Sequence, residues 1–347
     1  MAVYTTIDKP SDYFETVLYT GTGSTQSITS LDFQPDWVWG KTRNDTQDHQ
    51  IIDSVRGATK LLATNGTAVE FTDTNNLTSF NSNGFTVGSS GGINGSSDTL
   101  VTWCWKAGGS ASSNSNGSIT STVSASTDSG FSIVKWTGNG SNPSTVGHGL
   151  GAVPKMIITK RISGDTASWH SYHAGIGNAY DIYLNGANAK ASDTSWNSTT
   201  PTSSVFTVNG ANVNVSGAPY IAYCFADVKG FSKFGSYVGN GNADGTFVYT
   251  GFSPAFVIVK RTDAVESWFL YDNKRNAHVG NERYYVLKPN TAGAENTTYS
   301  DNWQMDFLSN GFKLRTTAGH LNSGNLIYMA FAENPFVTST GVPATAR

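Results

Sequence analysis

The sequence predicts an all-β fold built as three tandem antiparallel β-sandwich, jelly-roll-like repeats. Three observations lead there: a set of landmarks that recurs three times in one order, a composition of turn formers and large apolar residues, and apolar–polar alternation without a long helical period. The chain has 347 residues, 37 of them Gly, and only 14% are Asp, Glu, Lys or Arg, against about 25% in an ordinary soluble domain. Gly, Ser, Thr and Asn fill the difference, as expected of many strands joined by turns. With 9 Trp, 15 Tyr and 18 Phe the chain can fill more than one core, which excludes a disordered polymer.

The repeat is read from four landmarks. The first is an aromatic followed by spaced glycines, Tyr19-Thr-Gly-Thr-Gly23, Trp136-Thr-Gly-Asn-Gly140 and Tyr237-Val-Gly-Asn-Gly241, a strand running into a turn. The second follows 16 to 18 residues on, from Pro to Lys: Pro35-Asp-Trp-Val-Trp-Gly-Lys41, Pro154-Lys-Met-Ile-Ile-Thr-Lys160 and Pro254-Ala-Phe-Val-Ile-Val-Lys260. The third is a Phe-centred strand, Gly84-Phe-Thr-Val87, Val205-Phe-Thr-Val208 and Gly311-Phe-Lys-Leu314, whose alternation predicts one buried and one wet face. The fourth closes each copy: Val101-Thr-Trp-Cys-Trp-Lys106, Ile221-Ala-Tyr-Cys-Phe-Ala226 and Ile327-Tyr-Met-Ala-Phe-Ala332.

These landmarks divide the chain into an N-terminal arm (1–13), repeat 1 (14–106), a Gly/Ser-rich linker (107–129), repeat 2 (130–227), repeat 3 (228–333) and a C-terminal tail (334–347). Each repeat holds its own Trp, Tyr and Phe, so separate closed cores are expected. The linker, AGGSASSNSNGSITSTVSASTDS, reads as flexible or as an extended arm, and the two ends read as arms that order on a partner. Repeats 2 and 3 join at Asp227-Val-Lys-Gly230 with almost no slack and should touch. Cys104 and Cys224 occupy one equivalent position, where the third copy has Ala330, and are expected as small buried residues without a disulfide.

Chemical motifs are sparse. HExxH, CxxC and a Walker loop are all missing from the sequence. The string Asn240-x-Asn242-x-Asp244-Gly245 resembles a calcium loop but carries one carboxylate, and an Asn-Gly turn is the simpler reading. His170 and His173 lie three apart on a strand, on opposite faces, which does not suit a shared metal. No acid recurs in all three copies, so the repeat is not expected to be an enzyme; Asp165, Asp181 and Asp193 are the acids from which one copy could have built a hydrolytic pair. Neither a cofactor nor a metal site is expected. Trp169 and Trp268 align after the recurring Lys, with His49 in the first copy, and Trp196 and Trp303 lie in Ser/Asn-rich surroundings. Rings of this kind beside polar groups are the candidate glycan contacts, with Asp272 and Arg275. Asp53-x-x-Arg56 recurs as Asp272-x-x-Arg275, and a loop-bridging ion pair is the simpler reading of both.

The formal charge is −3, from 22 Lys+Arg and 25 Asp+Glu, which gives no basic surface for nucleic acid. A polar start and the lack of a long apolar run predict neither export signal nor membrane span. The block Pro35-Asp-Trp-Val-Trp-Gly-Lys-Thr-Arg-Asn-Asp45, with Asp48 to Gly57, Thr72 to Phe80, Asn83 to Gly88 and Trp103 to Gly109, resembles a domain of virion structural proteins of marine bacteriophages. The endings Tyr223-Cys-Phe-Ala226 and Ala330 to Pro335 resemble those of sister repeats. The resemblance implies a tail fibre, head fibre or capsid decoration protein, made in the bacterial cytoplasm and carried on the virion surface. Its implied partners are other virion proteins, further copies of itself in a homo-oligomer such as a trimer, and host-surface glycans. A free-standing lectin-like module and a polysaccharide depolymerase are the alternatives.

Overall fold

The computed structural model describes residues 4–275 and 280–343. The chain is all-β, with antiparallel sheets and, among the described residues, only short helical turns. No helix among the described residues is long and apolar enough to cross a membrane.

The sheets fall into three sets with a common strand order. In the first, Phe14–Thr20, Thr99–Trp105, Trp37–Thr42, Gln50–Asp53, Lys60–Ala63 and Phe71–Thr72 lie side by side. Facing them is a small sheet of Gln26–Ile28, Gly84–Val87 and Leu77–Asn81. The second set runs Phe131–Thr137, Pro219–Phe225, Met156–Arg161, His170–His173, Tyr180–Tyr183 and Ala191–Ser192, opposite Ser144–Gly147 and Val205–Val208. The third runs Ser232–Asn240, Ser323–Pro335, Phe252–Arg261 and Trp268–Asp272, opposite Phe247–Tyr249, Gly311–Leu314, Met305–Leu308 and Glu282–Arg283. The closing strand pairs with both the first-landmark and the second-landmark strand in every set, so it lies between them in each larger sheet.

Alternate residues of these central strands serve two different interiors. Val38, Ile157 and Val257, with Cys104, Cys224 and Ala330, face the small sheet of their own unit. Their neighbours face the other way into one shared core: Trp37, Met156 and Phe256; Trp39, Ile158 and Ile258; Trp103, Tyr223 and Met329; Trp105, Phe225 and Phe331. Rings from different units meet there, Trp37 with Tyr223 at 4.6 Å, Trp105 with Phe331 at 5.6 Å and Phe225 with Phe331 at 6.1 Å between centroids. Three separate closed cores were expected; there are three satellite cores and a fourth that no unit owns. The reason is that the larger sheets are apolar on both faces, which only burial on both sides satisfies.

Three further expectations are corrected. The 107–129 segment is not a free linker: Ser121–Ser126 pairs with Phe131–Thr137 and Ser112–Asn114 pairs outside it, while Ile119 and Val123 enter the second unit's core. The arm is docked on its own chain from Tyr4 onward, with Ile7 in the shared core and the Tyr4 hydroxyl donating to the Gly251 carbonyl at 2.7 Å. The tail returns to it, the Ser339 N–H donating to Asp8 Oδ1 at 2.6 Å. Residues 1–3 and 344–347 of the arm and tail lie outside the described residues. Both cysteines are buried and free.

The shared core makes the three units one cooperative body. Calorimetry of the whole chain should therefore show a single unfolding transition, and residues 14–106 expressed alone, with Trp37, Trp39, Trp103 and Trp105 uncovered, should aggregate in size-exclusion chromatography. Two or more resolved transitions, or a soluble monomeric fragment, would contradict this.

Candidate functional site

The residues that the sequence singles out close the three units into a ring. Glu70 N–H donates to the Ile162 carbonyl at 3.1 Å, Lys190 N–H to Thr262 at 2.9 Å and Glu295 N–H to Arg43 at 2.7 Å. Each acceptor stands two residues after the recurring Lys, so one bond is made three times, from unit 1 to 2, 2 to 3 and 3 to 1. Trp169 Nε1 donates to the Ala63 carbonyl at 2.8 Å and Trp268 Nε1 to Tyr183 at 2.9 Å, each reaching the preceding unit. The recurring lysines are buried; Lys160 Nζ donates to Thr67 of unit 1 at 2.8 Å, and burial pushes the amines of Lys41, Lys160 and Lys260 down to about 8.

The Asp-x-x-Arg pairs are junction devices. Asp272 Oδ2 meets Arg275 Nε at 2.5 Å and accepts from Trp103 Nε1 of unit 1 at 3.0 Å, while Arg275 also meets Glu295 at 2.7 Å. In unit 1, Asp53 holds Arg56 in the same way and accepts from the Tyr223 hydroxyl of unit 2 at 2.7 Å. At the remaining junction the partner position is Met329, which has no donor, and the pair is replaced by His173 and Ile176. His173 Nδ1 accepts from Gly175 N–H at 3.0 Å, so its Nε2 donates to the Tyr328 carbonyl at 3.2 Å. The imidazole is neutral, pushed down to about 4 by burial.

These positions correct the glycan assignment. Trp169, Trp268 and Trp196 are buried, as are Asp272 and Arg275, and a sugar cannot reach them. Trp303 alone of the six is half-exposed, and its ring packs at a tilt against Phe269 and His320. The three acids do not form a pair. Asp181 is buried against His170, Asp193 accepts from Ser195 N–H at 2.6 Å, and Asp165 is exposed beside Arg161. In the calcium-like string, Asn240 Oδ1 accepts from Asn322 Nδ2 at 3.0 Å and Asp244 meets Lys313 at 2.8 Å. No group of three His, Cys, Asp or Glu among the described residues is placed to hold a metal.

Asn322 belongs to a set that the landmarks omit. Asn94, Asn214 and Asn322, at or just after three one-turn helices, are buried and tie the glycine turns of the first landmark in each unit. The glycine there must be glycine, since a Cβ on Gly21 or Gly239 would lie 2.0 Å from the backbone beyond the helix. The signal was an Asn recurring five to seven residues before the fourth landmark of each copy, at Val101, Ile221 and Ile327.

With the interior so occupied, the open surface chemistry gathers where the chain passes between units. Two adjoining cavities of about 530 and 460 Å³ share Thr127 and Asp128. Tyr13, Asp36 and Lys106 line one, Tyr4, Asp227 and Lys229 the other. Lys106 Nζ lies 5.4 Å from the Tyr13 ring centre and Lys229 Nζ 4.4 Å from that of Tyr4, paired cations and rings that suit a polar partner surface. Asp36 accepts from Ala107 N–H at 2.8 Å and Ser54 Oγ at 2.9 Å; burial raises its carboxyl nonetheless. Sequence reasoning missed this cleft because its residues come from the arm, both joints and the supposed linker.

The chain matches the family described as "Domain of unknown function (DUF7483)" over residues 9–335. It belongs to that family. No curated protein and no solved structure matches the chain. The matched range spans all three units, so in this DUF7483 chain the ring as a whole coincides with the family's domain.

Two measurements test the junctions. Arg275→Met leaves Asp272 buried without its cation and should cost about 3–5 kcal/mol in urea unfolding; adding Asp272→Asn should recover part of that loss, and strict additivity would contradict the pairing. His173 has a lowered pKa in the fold, so its contribution is complete above about pH 6.5 and is lost as pH falls toward about 4. The stability gap between the native chain and His173→Gln should shrink by about 3 kcal/mol across that window; a constant gap would refute a neutral buried imidazole.

Proposed function

We propose that this chain is a structural protein of a bacteriophage particle surface, a tail fibre, head fibre or capsid decoration, that works by non-catalytic attachment. The cleft lined by Lys106 and Lys229 docks on another virion protein, and the outer faces meet host-surface glycans. The observation that carries the reading is the closed ring of three like units within one chain. A fibre knob of three separate chains depends on their concentration; a covalently joined ring has the same pseudo-threefold form at any dilution and fits a threefold or quasi-threefold position on a particle.

The resemblance of the Pro35 to Gly109 block to marine phage virion proteins supports the same reading. So do the low charge and the two free cysteines, which leave a body that needs no redox chemistry outside a cell. Several copies per particle would add weak surface contacts through effective concentration.

Mass spectrometry of particles purified from the phage whose genome encodes this chain should find it in many copies. The double variant Lys106→Glu/Lys229→Glu should keep its melting temperature and disappear from the particles. Particles that lack the native chain, or that retain the variant at full copy number, would refute the proposal.

A further inference from the structure

The middle unit contains a polar cavity of about 210 Å³ lined by Arg161, Thr166, Ser168, His170, Tyr183 and Asn212. Its imidazole is held from behind. His170, 5% exposed, bonds through Nδ1 to the Asp181 carboxylate, which also accepts from the N–H groups of Ser171 at 2.8 Å and Ile182 at 2.9 Å. Nε2 is left without a partner among the described residues, as the free polar atom that His170 brings to the cavity wall. Tyr183 stands edge-on to it, ring centres 5.1 Å apart.

The same slot is plugged in the other two units. Gln50, His170 and Phe269 are equivalent, each following the aligned His49, Trp169 and Trp268. Gln50 Oε1 accepts from Asn76 Nδ2 at 2.8 Å, and its amide reaches so close to Gly92 that a Cβ there would lie 2.0 Å away. In the third unit Phe269 stacks on His320 at 4.7 Å and lies 5.5 Å from Trp303. The one-turn helix that supplies His320 there supplies Asn212 in the middle unit, whose Nδ2 bonds Asp193 and Ser195 at 3.3 Å. One slot of three has thus been emptied and given an oriented imidazole.

We infer that this cavity binds a carboxylate-bearing sugar ring, a uronate residue. Arg161 donates through Nε and Nη2 to the Asp165 carbonyl at 3.1 and 2.6 Å, and the carboxylate nearest its charge is that of Asp165, 3.7 Å away with a side chain 95% exposed. So solvated a counter-ion gives way to a ligand carboxylate. Nε2 of His170 bonds a sugar hydroxyl, the hydroxyls of Thr166 and Ser168 meet further ring hydroxyls, and Tyr183 supplies the aromatic wall. Particle location does not enter this inference.

Titration calorimetry of the whole purified chain with methyl glucuronide, methyl glucoside and acetate tests it. Saturable glucuronide binding is expected, with glucoside and acetate each weaker by roughly tenfold. Ala211→Phe, at an exposed residue of the cavity wall, should abolish binding at an unchanged melting temperature. Arg161→Gln should weaken it by roughly tenfold and serves as the test if Ala211→Phe does not fold. No saturable glucuronide binding, equal binding of glucoside or acetate, or glucuronide binding undiminished in a folded variant would overturn the inference. Copy number in particles is read separately, so either proposal can fail without the other.

Discussion

The larger sheet of every unit is apolar on both faces, and this constraint governs the whole molecule. One face is covered by the unit's own small sheet. The other can be covered only by the remaining two units, because a sandwich that left Trp37, Trp105, Phe225 or Phe331 in water would expose a contiguous apolar patch. Three units brought face to face around that patch have one way to satisfy it, a closed ring. The arm, the 107–129 strands and the tail then fasten the ring, the arm reaching the shared core through Ile7 and the 107–129 segment the second unit's core through Ile119 and Val123.

Closure within one chain has released the copies from identity. At four levels of the shared core the first unit contributes a Trp, Trp37, Trp39, Trp103 or Trp105, where the others contribute Met, Phe, Ile or Tyr. Three identical chains would have to place three equal side chains around the axis, and three Trp would overfill the space that Trp39, Ile158 and Ile258 share. The junctions diverged in step with the core. Where the facing residue carries a donor, Trp103 or Tyr223, the partner unit presents an Asp–Arg–Glu cluster; where it is Met329, the partner presents His173, Ile176 and Lys190. A buried charge without a partner is costly, so acid, base and donor change together or not at all.

The same freedom explains why chemistry is found in one unit and not in its sisters. A slot that packing fills with Gln50 or Phe269 can be opened in the middle unit, because the ring is held by contacts on the opposite side of the sheet. Function can thus be added to a single copy at little structural risk. The cleft lined by Lys106 and Lys229 is a different kind of surface, assembled from joints and not from repeats.

The all-β class was legible in composition and alternation, and the ordered landmarks located the central strands and the equivalence of Cys104, Cys224 and Ala330. The continuous runs Trp-Val-Trp and Met-Ile-Ile also carried the message that both faces are buried, since a half-wet strand alternates. The fate of the aromatic and ionic candidates was decided only by tertiary structure. Trp169 and Trp268 look equally at home under a sugar or under another sheet, and a sequence states neither which way an indole N–H points nor whose carbonyl it meets. The covariation of Asp272 with Trp103, or of His173 with Met329, spans most of the chain and has no local signature. The chain order settled what each strand is made of; the ring settled what each strand faces, because burial of the second face is a property of three units together.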